Sequence, residues 1–147
     1  MSWIEGWGWK IYLILFSLLI LGNAISLFYE ESYLYIYYNI LITFDKSYLF
    51  YYYYAVLNNV LELAVLVSLF LYVFKIRFLA PSFWQWIFVF RIVFDLVGHH
   101  FEFQTMKSLY LTDLHLALAT TGIVFALMLP SYLGSFQYAF RQHKIFQ

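Results

Sequence analysis

Cysteine is absent from this chain. That absence closes off disulfide bonding, thiol catalysis, iron–sulfur ligation and the quinone-linked thiol exchange that some small four-helix membrane bundles carry out. Charge is also scarce. Eight acidic and eight basic side chains make up 11% of 147 residues and cancel to a formal net charge of zero. A nucleic-acid partner would need a basic surface, and none is implied. Proline occurs only at Pro81 and Pro130. There is no internal repeat, heptad pattern or low-complexity linker. No serine-nucleophile, phosphate-loop or metalloprotease motif is present either.

What fills the space is apolar. Hydrophobic residues are 65% of the chain and the mean hydropathy is +0.77. A soluble domain of this length has too little interior to hide that much apolar surface, so the surplus calls for lipid as solvent. Aromatics reach 25%, with 15 Tyr, 17 Phe and 5 Trp. Tyrosine and tryptophan belong at the headgroup boundary, so interfacial belts explain this better than π-rich walls around a pigment or quinone.

Taken in order, the chain predicts an all-α, polytopic integral membrane protein: a single four-transmembrane-helix bundle with spans at about residues 11–29, 51–74, 82–100 and 111–129. A cleaved leader is the competing reading of the first span. Glu5, a lone Lys10 and the length of the apolar run argue against it. Residues 32–50 are too interrupted to span, and their tyrosines suit an interfacial segment between the first two helices. Pro81 fits the first turn of the third span, where its missing N–H is harmless. Pro130 is expected to end or kink the fourth, leaving residues 131–147 as a basic interfacial tail.

With four spans, Lys10, Lys75, Arg77, Arg141 and Lys144 fall on one side. Lys46 and Lys107 fall on the other, beside Glu30, Glu31, Asp45 and Glu102. The positive-inside rule puts both termini on the cytoplasmic or equivalent side of a bacterial or organellar inner membrane. The polar residues of the spans then segregate into the outer half, a pattern that predicts a polar pocket closed below by an apolar plug. On the fourth span Thr112, His115, Ala119, Gly122 and Ala126 recur at steps of three and four. They form an expected close-packing face, with Gly22 and Ser26 as counterparts on the first span.

Arg91, Asp95 and His99 stand at four-residue intervals, so on a helix they share one stripe. A bare charge at mid-bilayer costs about 2.5–3.5 kcal/mol or more, so Arg91 is expected to pair with Glu62, Asp95 or both. Asn58, Asn59, Glu62, Arg91 and Asp95 form the expected intramembrane polar network. A structural network of this kind suits a non-catalytic accessory or assembly subunit, with lipid and other membrane subunits as partners. The alternative is a transition-metal site built from Asp95, His99 and His115, with Glu62, His100, Glu102 and Asp113 as spare ligands. Over Asp95, His99 and His115 alone, the pattern is similar to the intramembrane copper site of particulate methane and ammonia monooxygenases. Two imidazoles with one carboxylate suit copper, zinc or non-haem iron, and the similarity itself implies copper at those residues. Haem ligation by His99 or His100 with His115 is a further alternative. An outward-facing pocket for a lipid or small ligand is another.

Overall fold

The computed structural model describes residues 3–26, 48–109 and 114–145. Among the described residues all regular structure is helical. There are four long helices, α1 (Trp3–Ser26), α2 (Tyr48–Val73), α3 (Pro81–Leu109) and α4 (Leu114–Phe140), followed by the single turn α5 (Gln142–Ile145). Two stretches, Gly6–Ile25 in α1 and Val56–Val73 in α2, are long and apolar enough to cross a membrane.

Neighbouring helices alternate in direction. Trp9, early in α1, meets Tyr72, late in α2, edge to face with ring centroids 5.2 Å apart. Tyr54 of α2 stacks on Phe94 of α3 at 4.5 Å, and Phe88 of α3 packs on Phe136 and Phe140 of α4. The parallel pair α2 and α4 forms the centre, with α1 packed on α2 and α3 against α4 and α2. Small residues permit this central contact. The hydroxyls of Ser68 and Ser135 hydrogen-bond at 2.7 Å, and Leu69 occupies the place a Cβ on Gly134 would take. Two apolar clusters flank the seam. One joins Leu13, Phe16 and Ile20 to Val65 and Leu69, and the other joins Leu71 and Trp84 to Tyr138 and Ala139.

The turn between α2 and α3 is stapled from within. Ile76 N–H reaches Leu71 C=O at 2.9 Å and Lys75 N–H reaches Tyr72 C=O at 3.3 Å. This is a Schellman cap with Lys75, at φ 54°, in the left-handed position usually given to glycine. The Tyr138 hydroxyl accepts from Phe78 N–H at 3.1 Å and donates to Ile76 C=O at 2.9 Å. Trp84 Nε1–H donates to Phe78 C=O at 2.6 Å. Pro81 opens α3, as its missing donor predicts.

Three expectations about the helices are corrected. Pro130 does not end α4, which runs on to Phe140 and buries Ser131, Ser135, Tyr138 and Ala139, so these residues are core rather than tail. A proline normally breaks the i→i−4 ladder. Here the Tyr12 hydroxyl of α1 bridges the break, accepting from Ser131 N–H at 3.1 Å and donating to Leu127 C=O at 2.9 Å. The third helix runs past the expected end of its span at about residue 100 and continues as far as Leu109. Of the expected close-packing residues, Gly22, Gly122 and Ala126 are exposed, and a Cβ on either glycine would meet open space, while Thr112 and the side chains of Ser26, His115 and Ala119 lie outside the described residues; among the described residues of α4, close packing falls on Ser131, Gly134 and Ser135. The expected interfacial segment lies outside the described residues apart from the start of α2 at Tyr48.

Candidate functional site

Along α3 the residues facing the bundle are Trp84, Phe88, Arg91, Asp95 and Gly98, spaced by alternating fours and threes. This is the 3.5-residue step of a helix packed along its length. It carries one arginine inward at the level where α2 presents Asn58 and Glu62, themselves one turn apart. Arg91 is 7% exposed and Glu62 8%, so this charge cluster is buried and has to be neutralised and hydrogen-bonded internally.

The geometry does so on several sides. Arg91 Nη2 lies 2.8 Å from Asp95 Oδ1 and 3.5 Å from Glu62 Oε1. Arg91 Nη1 donates to Asn58 Oδ1 at 3.0 Å and, at 3.3 Å, to the Asn58 backbone carbonyl. Asn58 Nδ2 in turn donates to Glu62 Oε1 at 3.0 Å. The other Asp95 oxygen, Oδ2, accepts from the hydroxyl of Tyr132 on α4. The pair with Asp95 is short and charge-assisted, whereas the Glu62 contact sits at the long limit of a hydrogen bond. Asp95 is therefore the principal counter-ion, and Glu62 is held mainly by Asn58.

Beside the cluster is a cavity of about 10 Å³ lined by Phe16, Glu62, Val65, Arg91, Met128, Ser131 and Tyr132, so all four long helices contribute to its wall. That is room for about one water molecule, against the several hundred Å³ of a typical ligand pocket. Its polar groups are of the right kind to hold a water, since Glu62, Ser131 and the Tyr132 hydroxyl oxygen can accept while Arg91 can donate.

Of the expected site residues, the fold brings Asn58, Glu62, Arg91 and Asp95 into mutual contact. Asn59 is half-buried next to Asn58 but turned about 100° around the helix. His100 is exposed. The side chains of His99, Glu102, Asp113 and His115 lie outside the described residues. Among the described residues no three His, Asp or Glu side chains gather closely enough to hold a metal ion.

Tyr132, Ser131 and Tyr12 belong to the site and were not anticipated. The signal for Ser131 is the inward line Met128, Ser131, Ser135 and Tyr138, with Tyr132 beside it, which becomes visible only once α4 is continued through Pro130. No local pattern marks Tyr12, whose partners lie more than a hundred residues away.

No protein-family model matches the chain, and neither a curated protein nor a solved structure matches it. The functional reading therefore rests on the site and the surface alone.

Proposed function

We propose that the chain is a four-span integral membrane protein with both termini on the cytoplasmic or equivalent side. Its role is that of a non-catalytic accessory or assembly subunit of a larger membrane complex. The observation that carries the reading is the inversion of α3. Its inward line holds Arg91 and Asp95, while its outward residues Trp86, Val89, Phe90, Val93, Leu96 and Val97 are exposed and wholly apolar. Water would reverse that order, and lipid requires it.

Two of the other long helices, α1 and α2, agree. The apolar stretches in α1 and α2 are only 17% and 33% buried within the bundle, whereas the core helix of a soluble protein hides most of its surface. From Glu62 to Val73 is eleven residues, about 16 Å of helix, or half of a hydrocarbon core about 30 Å thick. With the α2–α3 turn at one interface, the arginine cluster lies near mid-membrane. There it ties α2, α3 and α4 into one register, the best-attested use of a buried ionic network. A cluster that spends its donors and acceptors on itself is suited to holding shape.

Resistance to carbonate extraction tests insertion, and a chain released with peripheral proteins would overturn it. Native mass spectrometry after purification in mild detergent tests the subunit role. The expected result is a stoichiometric complex with another membrane chain, and a lone monomer would refute it. Elemental analysis of the same sample addresses the metal alternative. Stoichiometric copper, zinc or iron that is lost in a His99→Ala/His115→Ala variant would replace the subunit reading.

A further inference from the structure

We infer that the turn joining α2 to α3 is an anchoring site for anionic phospholipid headgroups. The proposal rests on the membrane reading above. Within the turn Phe74, Ile76, Phe78 and Leu79 are all exposed, Phe78 and Leu79 by more than half of their surface, and Lys75 and Arg77 are exposed between them. A turn is ordinarily polar because its backbone needs water. This one has its backbone satisfied from inside by Tyr138, Trp84 and the Schellman cap, which frees its surface to be apolar.

The backbone is also held where it would not go unaided. Lys75 and Leu79 both have positive φ, at 54° and 60°, a region that disfavours side chains with a Cβ. Two such residues within five positions persist only where the surroundings over-determine them. Here the braces from Tyr138 and Trp84 do so.

Charge selects the occupant. Lys10 belongs to the same end, since its neighbour Trp9 packs on Tyr72, and Arg141 follows Tyr138 by three residues; both are exposed. No acidic residue occurs in residues 6–26, 63–90 or 114–147. This end of the bundle therefore carries Lys10, Lys75, Arg77 and Arg141 against one acidic position, Glu5 in the first turns of α1, while Glu62 and Asp95 are engaged by Arg91 deep in the bundle. Alternating apolar and basic side chains on a rigid turn match a bilayer boundary, with rings and aliphatics below the glycerol and cations at the phosphates. Each Lys or Arg near an anionic surface is worth about fivefold in attraction.

The test uses the full chain in vesicles with brominated phosphatidylglycerol or brominated phosphatidylcholine, read by quenching of tryptophan fluorescence. The wild type is expected to associate with the anionic lipid at least about fivefold more strongly than with the neutral one. Lys75→Gln/Arg77→Gln should lower the ratio at least about fivefold, the remaining preference being that of Lys10 and Arg141. Raising salt from about 0.05 M to about 0.5 M should do the same in the wild type, without any mutation that could disturb folding. Equal quenching by both lipids, a ratio unchanged in the double variant, or a ratio indifferent to salt would each overturn the proposal. Loss of the preference on adding inorganic phosphate at low millimolar concentration would also overturn it, by marking a site for free phosphate. Failure of the protein to enter the vesicles at all would instead refute the membrane reading.

Discussion

Removing the guanidinium of Arg91 is the sharpest perturbation of this fold. In Arg91→Met the carboxylates of Asp95 and Glu62 stay where they are, both poorly accessible to solvent, and lose a partner at 2.8 Å and one at 3.5 Å respectively. Tyr132 and Asn58 still donate to them, but neither donor carries charge. Breaking a buried ion pair from one side costs about 3–5 kcal/mol, and that range is expected here. Glu62→Gln should cost much less, about 1 kcal/mol or below, because it gives up only the long contact. Asp95→Asn loses the short charge-assisted bond and should fall between them, at about 1.5–3 kcal/mol. Replacing Arg91, Glu62 and Asp95 together by Met or Leu of similar volume should recover most of the loss, since no charge is then left unpaired. Equilibrium unfolding by SDS in mixed micelles, followed by tryptophan fluorescence, gives these values. Trp84 is 4% exposed and reports the packed state, whereas thiol-reactive dyes have no cysteine to label. Two results would refute the reasoning. One is an Arg91→Met protein within about 1 kcal/mol of wild type, which would mean that water or protons satisfy the carboxylates. The other is a larger loss in Glu62→Gln than in Asp95→Asn, which would make Glu62 the principal counter-ion.

Tyr12→Phe should lower stability by about 1–2 kcal/mol by leaving Ser131 N–H and Leu127 C=O without their bridge. In a Pro130→Ala background, where the helix can close its own ladder, the cost should shrink by at least about 0.5 kcal/mol; strict additivity in the same SDS titration would refute the bridging role. Gly134→Ala should cost about 1–3 kcal/mol, because the new methyl would displace Leu69 against Trp9. Gly122→Ala meets open space and should be neutral or stabilising by up to about 1 kcal/mol. Equal effects at the two glycines would place the α4 packing face elsewhere.

Several of these features could be read from residues alone. The requirement that Arg91 find an acid follows from a cation set among apolar neighbours, and Asp95 stands one turn away on the same helix. Helical structure and the position of Pro81 follow from local rules. The face that α4 turns to its partners did not. Gly122 and Ala126 have the spacing of a packing stripe yet are exposed, while Ser131, Gly134 and Ser135 do the packing. The outward faces of these helices are as apolar as their inward faces, so hydropathy has no period from which to tell inside from outside.

What the sequence by itself determined is therefore the kind of chain this is: helical, cysteine-free, strongly apolar, with a few charges that have to be paired. Only the tertiary structure decided which residues do the pairing. Asp95 rather than Glu62 holds Arg91 closely, Tyr132 completes the cluster from α4, and Tyr12 mends the helix at Pro130. The physical reason is range. Propensity and solvation act on each residue and its near neighbours, whereas a hydrogen bond between α1 and α4 depends on where packing brings two distant backbones.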